Sequence, residues 1–398
     1  MSRRFLLAIV LVALTTGACG SGDRRAVQRR APRPRSEHAA NVAREVVDGE
    51  VNVVWSTDAD GAPVAVAADT RGVVVTIDHE RVGALDPYGA VLWATDLEGV
   101  IGAVPVLMND RVIVPFSRPN GSGGCLGLDR VTGEVRWRYE AITTGGVAVA
   151  AAGTLALCVM RNGQTAGVIP EWGSPRWEFT FRGDVDSSTI EVPVGTAIAV
   201  DQSTGAFGFV ARLGAEWQLT VRSIETGNTR FHVDLGAAEP PSAPAPTAIG
   251  FVGVGVGSGD FYFVSFDTRE VRRVRIRATE GFDPASVPIR VDDLVIVMGR
   301  AGEVTAIDLD TARPRWTAHL VAGLRSVHPV VLGDALMLQT WTGELAAFRL
   351  SDGRPIPHPA DPERAIAMLF SGGPRVVIAV GQDGDAGWIE RWEAKPGR

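Results

Sequence analysis

Lysine is almost missing from this chain. Of 39 basic residues only Lys395 is a lysine, and 10 tryptophans stand against 3 tyrosines. We read the lysine deficit as genomic base composition rather than chemistry. Catalytic motifs are missing as well. The six histidines, at 38, 79, 232, 319, 328 and 358, never fall at zinc-ligand spacing, and His79-Glu80 lacks the second histidine of a zincin. There is no Gly-x-Ser-x-Gly elbow for a serine nucleophile. The glycine run at 250–257 has no lysine and no following helix, so it reads as a small-residue strand and not as a phosphate loop. Net charge is −7, and most of the basic excess sits in one short segment near the start. The remainder is therefore more acidic still, which argues against nucleic acid as a partner.

Long apolar runs are also scarce. Residues 5–14 are a run of ten apolar residues, short of the roughly 18 that a membrane span needs. A basic start (Met-Ser-Arg-Arg) precedes this run and small residues ending in Cys19 follow it, which is the layout of a secretory signal. The cysteine directly after the small residues makes it resemble a bacterial lipoprotein signal. That resemblance implies cleavage after residue 18 and lipidation of Cys19, although Thr16 stands where the family prefers leucine. Residues 19–48 are rich in arginine (24, 25, 29, 30, 33, 35) and proline, cannot bury a core, and are expected to be a disordered spacer. Beside an anionic bilayer each arginine would add up to about 1 kcal/mol of attraction. Export allows Cys125 and Cys158 to form a disulfide; two separate buried thiols are the alternative.

From residue 49 to 394 short Val/Ala/Ile/Leu/Phe runs alternate with Gly, Asp, Asn and Pro, and residues 395–398 are a tail. The phrase at 306–316, Ala-Ile-Asp-Leu-Asp-Thr-Ala-Arg-Pro-Arg-Trp, reads as strand, tight turn, strand. Degenerate copies recur, ending at Trp55, Trp93, Trp137, Trp177, Phe231, Val274, Trp316 and Pro357. Their spacing is 38, 44, 40, 54, 43, 42 and 41 residues. The long step contains 237–246, read as an inserted proline-rich surface loop. In most copies a glycine stands four residues before the aromatic, where a hairpin turn needs positive φ.

A period near 42 with about four short strands per unit predicts an all-β protein, a β-propeller of four-stranded blades. The small residues of each first strand (Ala65, Ala67; Gly146, Ala148, Ala150) suit the crowded axis. The aromatics Trp55, Trp93, Trp137, Trp177, Phe231 and Trp316 suit packing between blades at the wider rim. After Pro357 three strands remain (366–370, 376–380, 388–392), and the front supplies one unpartnered strand, 51–55. Joining them closes a ring of eight blades; seven is the alternative, because the copies at Val274 and Pro357 are weak.

The phrase Leu-Asp-x-x-Thr-Gly-x-x-x-Trp at 128–137 resembles the quinoprotein, or PQQ-like, propeller repeat. With the lipoprotein signal, the mature chain resembles the propeller lipoprotein subunit of the bacterial outer-membrane barrel-assembly machinery. The resemblance implies a lipid-anchored envelope scaffold that binds a protein partner through one face and has no catalysis of its own. A monomer is expected, exported and held at the outer face of the cell membrane or in the periplasm. A quinone-dependent dehydrogenase is the enzymatic alternative. The chain lacks the adjacent cysteines common in active members, and its near-minimal blades leave little room for a cofactor chamber, so no PQQ is expected. A ligand- or glycan-binding sensor is a third class, which no aromatic or polar cluster specifically supports.

Four carboxylates are expected to gather where the ring closes, Asp58, Asp60, Asp383 and Asp385. They are candidate ligands for Ca²⁺, with ordinary Asp-Gly turn chemistry as the alternative. A rise in melting temperature with millimolar calcium would support the cation. Three connections longer than a blade demands, 117–124, 237–246 and 279–288, are candidate contact loops.

Overall fold

A computed structural model describes residues 43–394, apart from 47–48, 98, 100–102, 142–143, 181–189, 194–196, 237–239, 249, 258, 277, 279, 283–285, 321–328, 341–343, 357–365, 374–375 and 384–385. The described residues contain strands and turns and no helix. Eight antiparallel sheets follow one another. We number the blades 1 (63–96), 2 (106–141), 3 (146–179), 4 (190–234), 5 (245–275), 6 (289–319), 7 (330–355) and 8 (366–394 with 49–59). Blade 1 is typical, with Pro63–Asp69, Gly72–Ile77, Arg81–Leu85 and Val91–Asp96 paired in that order.

There is no single central core. Apolar side chains form eight clusters, one between each pair of consecutive blades, including blades 7 and 8 and blades 8 and 1. This explains the unbroken apolar runs of the second strands. In Gly72–Ile77 the alternate residues Val73, Val75 and Ile77 pack towards blade 8, while Val74 packs towards blade 2. A strand covered on both faces has no polar side to alternate with. Burial of each such side chain contributes roughly 1.5–3 kcal/mol.

Blade 8 closes the ring as the sequence pattern requires. Gly49–Ala59 pairs antiparallel with Ala386–Ala394, from Val51 opposite Ala394 to Ala59 opposite Gly387. The eight-bladed reading holds and the seven-bladed alternative does not. A strand at Ala43–Val46, within the stretch assigned to the spacer, folds back on Gly49–Asn52 as a fifth strand of blade 8.

The tryptophans work as expected and in a more specific way. Each inserts into the third-to-fourth-strand turn of the next blade, where its indole N–H donates to a backbone carbonyl. Trp55 donates to Pro87, Trp93 to Arg130, Trp137 to Pro170, Trp177 to Ile224 and Trp316 to Leu350, at 2.6–2.8 Å. The turn glycines have two duties. Gly133 and Gly173 have φ of 73° and 75°, and each also lies flat against the preceding blade's indole. A Cβ on Gly173 would stand 2.5 Å from Trp137. One extra residue, a β-bulge, precedes most of these aromatics and turns them inward.

One weak copy is corrected. Blade 5 has no bulge in its last strand, so Val274 lies opposite Phe261, two pairs further along the hairpin than the tryptophan position. The tryptophan position, opposite Phe263, is held by Arg272, whose guanidinium lies 5.2 Å from the Phe251 ring centre. Among the described residues blade 7 has three strands, and the chain after them pairs with the third through a bridge from Phe348 to Pro355 and the Ile356 N–H donating to the Ala347 carbonyl. Pro357 lies outside the described residues.

A disulfide joins Cys125 on the third strand of blade 2 to Cys158 on the second strand of blade 3, with Cα atoms 6.4 Å apart. Both cysteines are fully buried in the cluster between those blades. For a sequence separation of 33, cross-linking contributes about 4 kcal/mol. The double variant C125A/C158A is expected to lose about that much in urea denaturation; a loss below about 1 kcal/mol would mean that the link does not act as a staple.

Candidate interaction faces

Up-and-down pairing divides the connections between two faces. The first-to-second and third-to-fourth turns share one, the turn face. The second-to-third turns and the crossings between blades share the other, the crossover face. All three candidate loops of the sequence therefore fall on the crossover face.

They differ in what they present. Residues 118–122 cap the hairpin between Arg111–Ser117 and Gly123–Asp129. Arg118 grips Glu140 in a two-pronged ion pair at 3.0 and 2.7 Å, and its guanidinium lies 5.2 Å from the Phe116 ring centre. Asn120 Oδ1 accepts from the Ser122 N–H and hydroxyl, and Gly121 takes φ of 83°. This loop is exposed and held in one shape, so a partner would not have to order it.

The other two are not surface loops in their described parts. Residues 241–245 of the proline-rich stretch are buried, and Ala245–Ala248 is the first strand of blade 5. Ser242 closes this segment, its N–H donating to the Gly255 carbonyl and its hydroxyl accepting from the Gly255 N–H. In 279–288, Phe282 is buried between blades 5 and 6 and fills the space that a Cβ on Gly255 would need. Proline content and length alone did not separate an insertion from a strand that runs into the ring.

At the seam, the hairpin carrying Asp383 lies beside residues 58–60, as the topology requires. Asp60 faces Arg81, which donates to its carboxylate at 3.2 Å and is also bound by Asp96 at 2.6 Å. A cation there would compete with this guanidinium. The side chain of Asp383, and Asp385 altogether, lie outside the described residues, as does Cys19. Among the described residues no group of three or more His, Cys, Asp or Glu is placed to hold a metal ion.

The turn face has its own electrostatics, which the sequence did not reveal. Asp69 of blade 1 and Arg130 of blade 2 form a two-pronged ion pair across the blade interface, beside the carbonyl that receives Trp93. The repeat aspartates hold their turns through acceptor oxygens. At Asp308 the Thr311 N–H, the Arg315 guanidinium and the Thr311 hydroxyl lower the carboxyl pKa to about 2. At Asp129 burial acts upward, but the N–H groups of Val131 and Thr132 and the Arg136 guanidinium outweigh it, and the pKa is again lowered. A depressed carboxyl stabilises the fold above its unfolded value near 4 and loses that contribution as pH falls through the folded value. Melting temperature should therefore fall between about pH 4 and 2. Asp308→Asn should show a shallower fall than the wild type in thermal melts across that window; parallel curves would contradict the role of Asp308.

Deeper in the ring, Arg222 of blade 4 is completely buried. It donates to the Thr165 hydroxyl of blade 3, and its guanidinium sits 4.0 Å from the Phe179 ring centre and 5.3 Å from that of Phe209. Nothing in its local sequence marks it, because its burial comes from the neighbouring blade.

The sequence profile of the family described as outer membrane protein assembly factor BamB matches residues 78–281 and 220–359. No curated protein sequence matches significantly. Among solved structures, BamB from Moraxella catarrhalis is similar with a TM-score of 0.66 at 16% identity, over 86% of this chain and 99% of its own. The computationally designed Ika8 protein reaches 0.66 at 14% identity, over 84% and 97%. A quinohemoprotein alcohol dehydrogenase, ADHIIG from Pseudomonas putida HK5, reaches 0.63 at 12% identity, over 92% and 78%. At such identities the structures share the fold, which hosts both enzymes and non-enzymes. The profile match is of another kind, since it follows the repeat through most of the ring: the chain belongs to the family of the outer membrane protein assembly factor BamB.

Proposed function

We propose that this protein is a lipid-anchored, extracytoplasmic platform that binds another envelope protein through its crossover face and catalyses no reaction. The observation that carries this reading is the family match over residues 78–359. The pre-ordered loop at 118–122 supports the choice of face, and the signal pattern ending at Cys19 supports the anchor. Lipid on Cys19 and the arginine-rich spacer would keep the ring close to one membrane while leaving it free to meet its partner. The likeness to the alcohol dehydrogenase, at 12% identity, is one of fold alone. Neither a resident metal nor a cofactor is part of the reading.

The test is mild crosslinking in intact cells, purification through this protein and mass spectrometry. A reproducible envelope protein, lost when residues 118–122 are replaced by Gly-Ser, is the expected result. A preparation without such a partner, carrying a bound quinone and oxidising alcohols, would contradict it.

A further inference from the structure

In three consecutive blades the third-to-fourth-strand turn carries one exposed apolar or aromatic side chain, beside Glu171 in blade 3. Tyr88 of blade 1 is 83% exposed, Val131 of blade 2 is 75% exposed and Trp172 of blade 3 is 73% exposed. Nothing in ring packing requires these residues: the place of Tyr88 and Val131, directly after the carbonyl that receives the indole, is held by Glu171, Glu225, Asp267 and Asp310 in blades 3 to 6, and the place of Trp172 by Thr132, Thr226, Thr268 and Thr311 in blades 2, 4, 5 and 6. The exposed tips are also rigid. Tyr88 and Trp172 sit in turns begun by Pro87 and Pro170, whose carbonyls are held by Trp55 and Trp137 of the preceding blades. The Tyr88 N–H and the Ala90 N–H both donate to Asp86.

A second set of positions shows the same bias. The bulge residue before each docking aromatic points outward. It is Arg136, Arg176, Arg230 and Arg315 in blades 2, 3, 4 and 6, but Val54 in blade 8 and Leu92 in blade 1, both exposed. Apolar residues thus run along one side of the ring, from the outer strand of blade 8 across blades 1 to 3.

The N-terminal chain leaves the ring at the start of this arc. Ala43, the first described residue, pairs with Asn52, two residues before Val54, and Trp55 then docks beside Tyr88. Between Cys19 and Ala43 the chain can span at most about 80 Å fully extended. The arc is therefore the part of the ring nearest in sequence to the anchor.

We propose that this arc seats the propeller on the phospholipid surface of the membrane that carries its anchor, with the Trp172 and Tyr88 rings at headgroup level. Both rings have an apolar body and a polar tip, which suits the boundary between headgroup and acyl chain. Exposed apolar side chains on a rigid frame lose little conformational freedom on insertion. Arg176, at the bulge of blade 3, stands where a guanidinium can reach lipid phosphates, whereas Arg136 of blade 2 is held by Asp129 and Glu134. The crossover face would then point away from the membrane, towards a partner. This inference rests on the anchored reading above.

The test replaces the native lipid, so that it does not depend on lipidation of Cys19. The mature chain is held by an N-terminal hexahistidine tag on vesicles of phosphatidylcholine with a little nickel-chelating lipid. Tryptophan fluorescence is compared between ordinary lipid and lipid brominated near the headgroup. Trp172 alone is exposed among the described tryptophans, so it should carry the bromine quenching. The quenching should disappear in Trp172→Phe and fall at least tenfold in Y88S/V131S, which keeps Trp172. The untagged chain should also sediment with phosphatidylcholine vesicles at least tenfold more readily than Y88S/V131S/W172S. Equal fluorescence on both lipids would overturn the proposal. It would equally be overturned if the serine substitutions removed a crosslinked protein partner without changing vesicle binding, which would assign the arc to that protein. Lipidation is tested separately, by membrane fractionation of the wild type against Cys19→Ser.

Discussion

Trp137→Ala is expected to lower the unfolding free energy by about 4 kcal/mol, the usual cost of emptying a large buried aromatic site. Trp137 is 7% exposed, packs in the cluster between blades 2 and 3, and donates to the Pro170 carbonyl at 2.6 Å. The change therefore removes an apolar contact and leaves a carbonyl without its donor. Gly173→Ala should cost about 3 kcal/mol by another route. Its φ of 75° strains any L-residue by roughly 1–2 kcal/mol, and the new methyl overlaps the Trp137 ring. In the double variant the overlap has no ring to meet. The two losses should then fall short of their sum by about 1–2 kcal/mol in a urea double-mutant cycle. Strict additivity would contradict the docking of one blade into the turn of the next.

Removing residues 1–59 is expected to abolish cooperative unfolding. The cut takes away the fourth strand of blade 8 and uncovers Ala386–Ala394, where Trp388, Ile389 and Trp392 are each 2% exposed. It also deletes Trp55 from the cluster between blades 8 and 1. The Trp55 contribution alone is about 3–5 kcal/mol, against total stabilities of about 5–15 kcal/mol for native domains. A chain beginning at residue 43 keeps both strands of the N-terminal hairpin and should melt within a few degrees of the mature protein. Calorimetry of the two truncations decides the matter. A sharp transition at unchanged temperature in the chain beginning at residue 60 would mean that the ring does not need its closing strand.

Much of the ring was legible because its determinants are local and repeated. The turn glycine, the aromatic four residues later and the small first strand report the blade directly, and a missing strand at each end reports closure. What was not legible depends on register or on a neighbouring blade. Val274 looked like a weak aromatic copy because sequence spacing does not show whether a bulge precedes it; without the bulge, Arg272 takes the place. Residues 237–246 looked like a loop because proline dominates them, yet 241–245 are buried by blade 5 and its surroundings. The disulfide was open for a similar reason, since Cys125 and Cys158 meet only through the packing of two blades. At the seam the topology was legible, but the Arg81 guanidinium facing Asp60 was not. The exposure of Trp172 was not legible either, since it follows from a hairpin pinned by Trp137 of the preceding blade.

The two faces can be distinguished by a photoreactive amino acid placed at single positions in living cells. Asn120, Asn162 and Glu344 sample the crossover face, and Thr226, Asp267 and Asp310 sample the turn face. A platform that meets its partner through the crossover face predicts one protein adduct from the first set and none from the second. The same adduct from both sets, or from the second set alone, would contradict it.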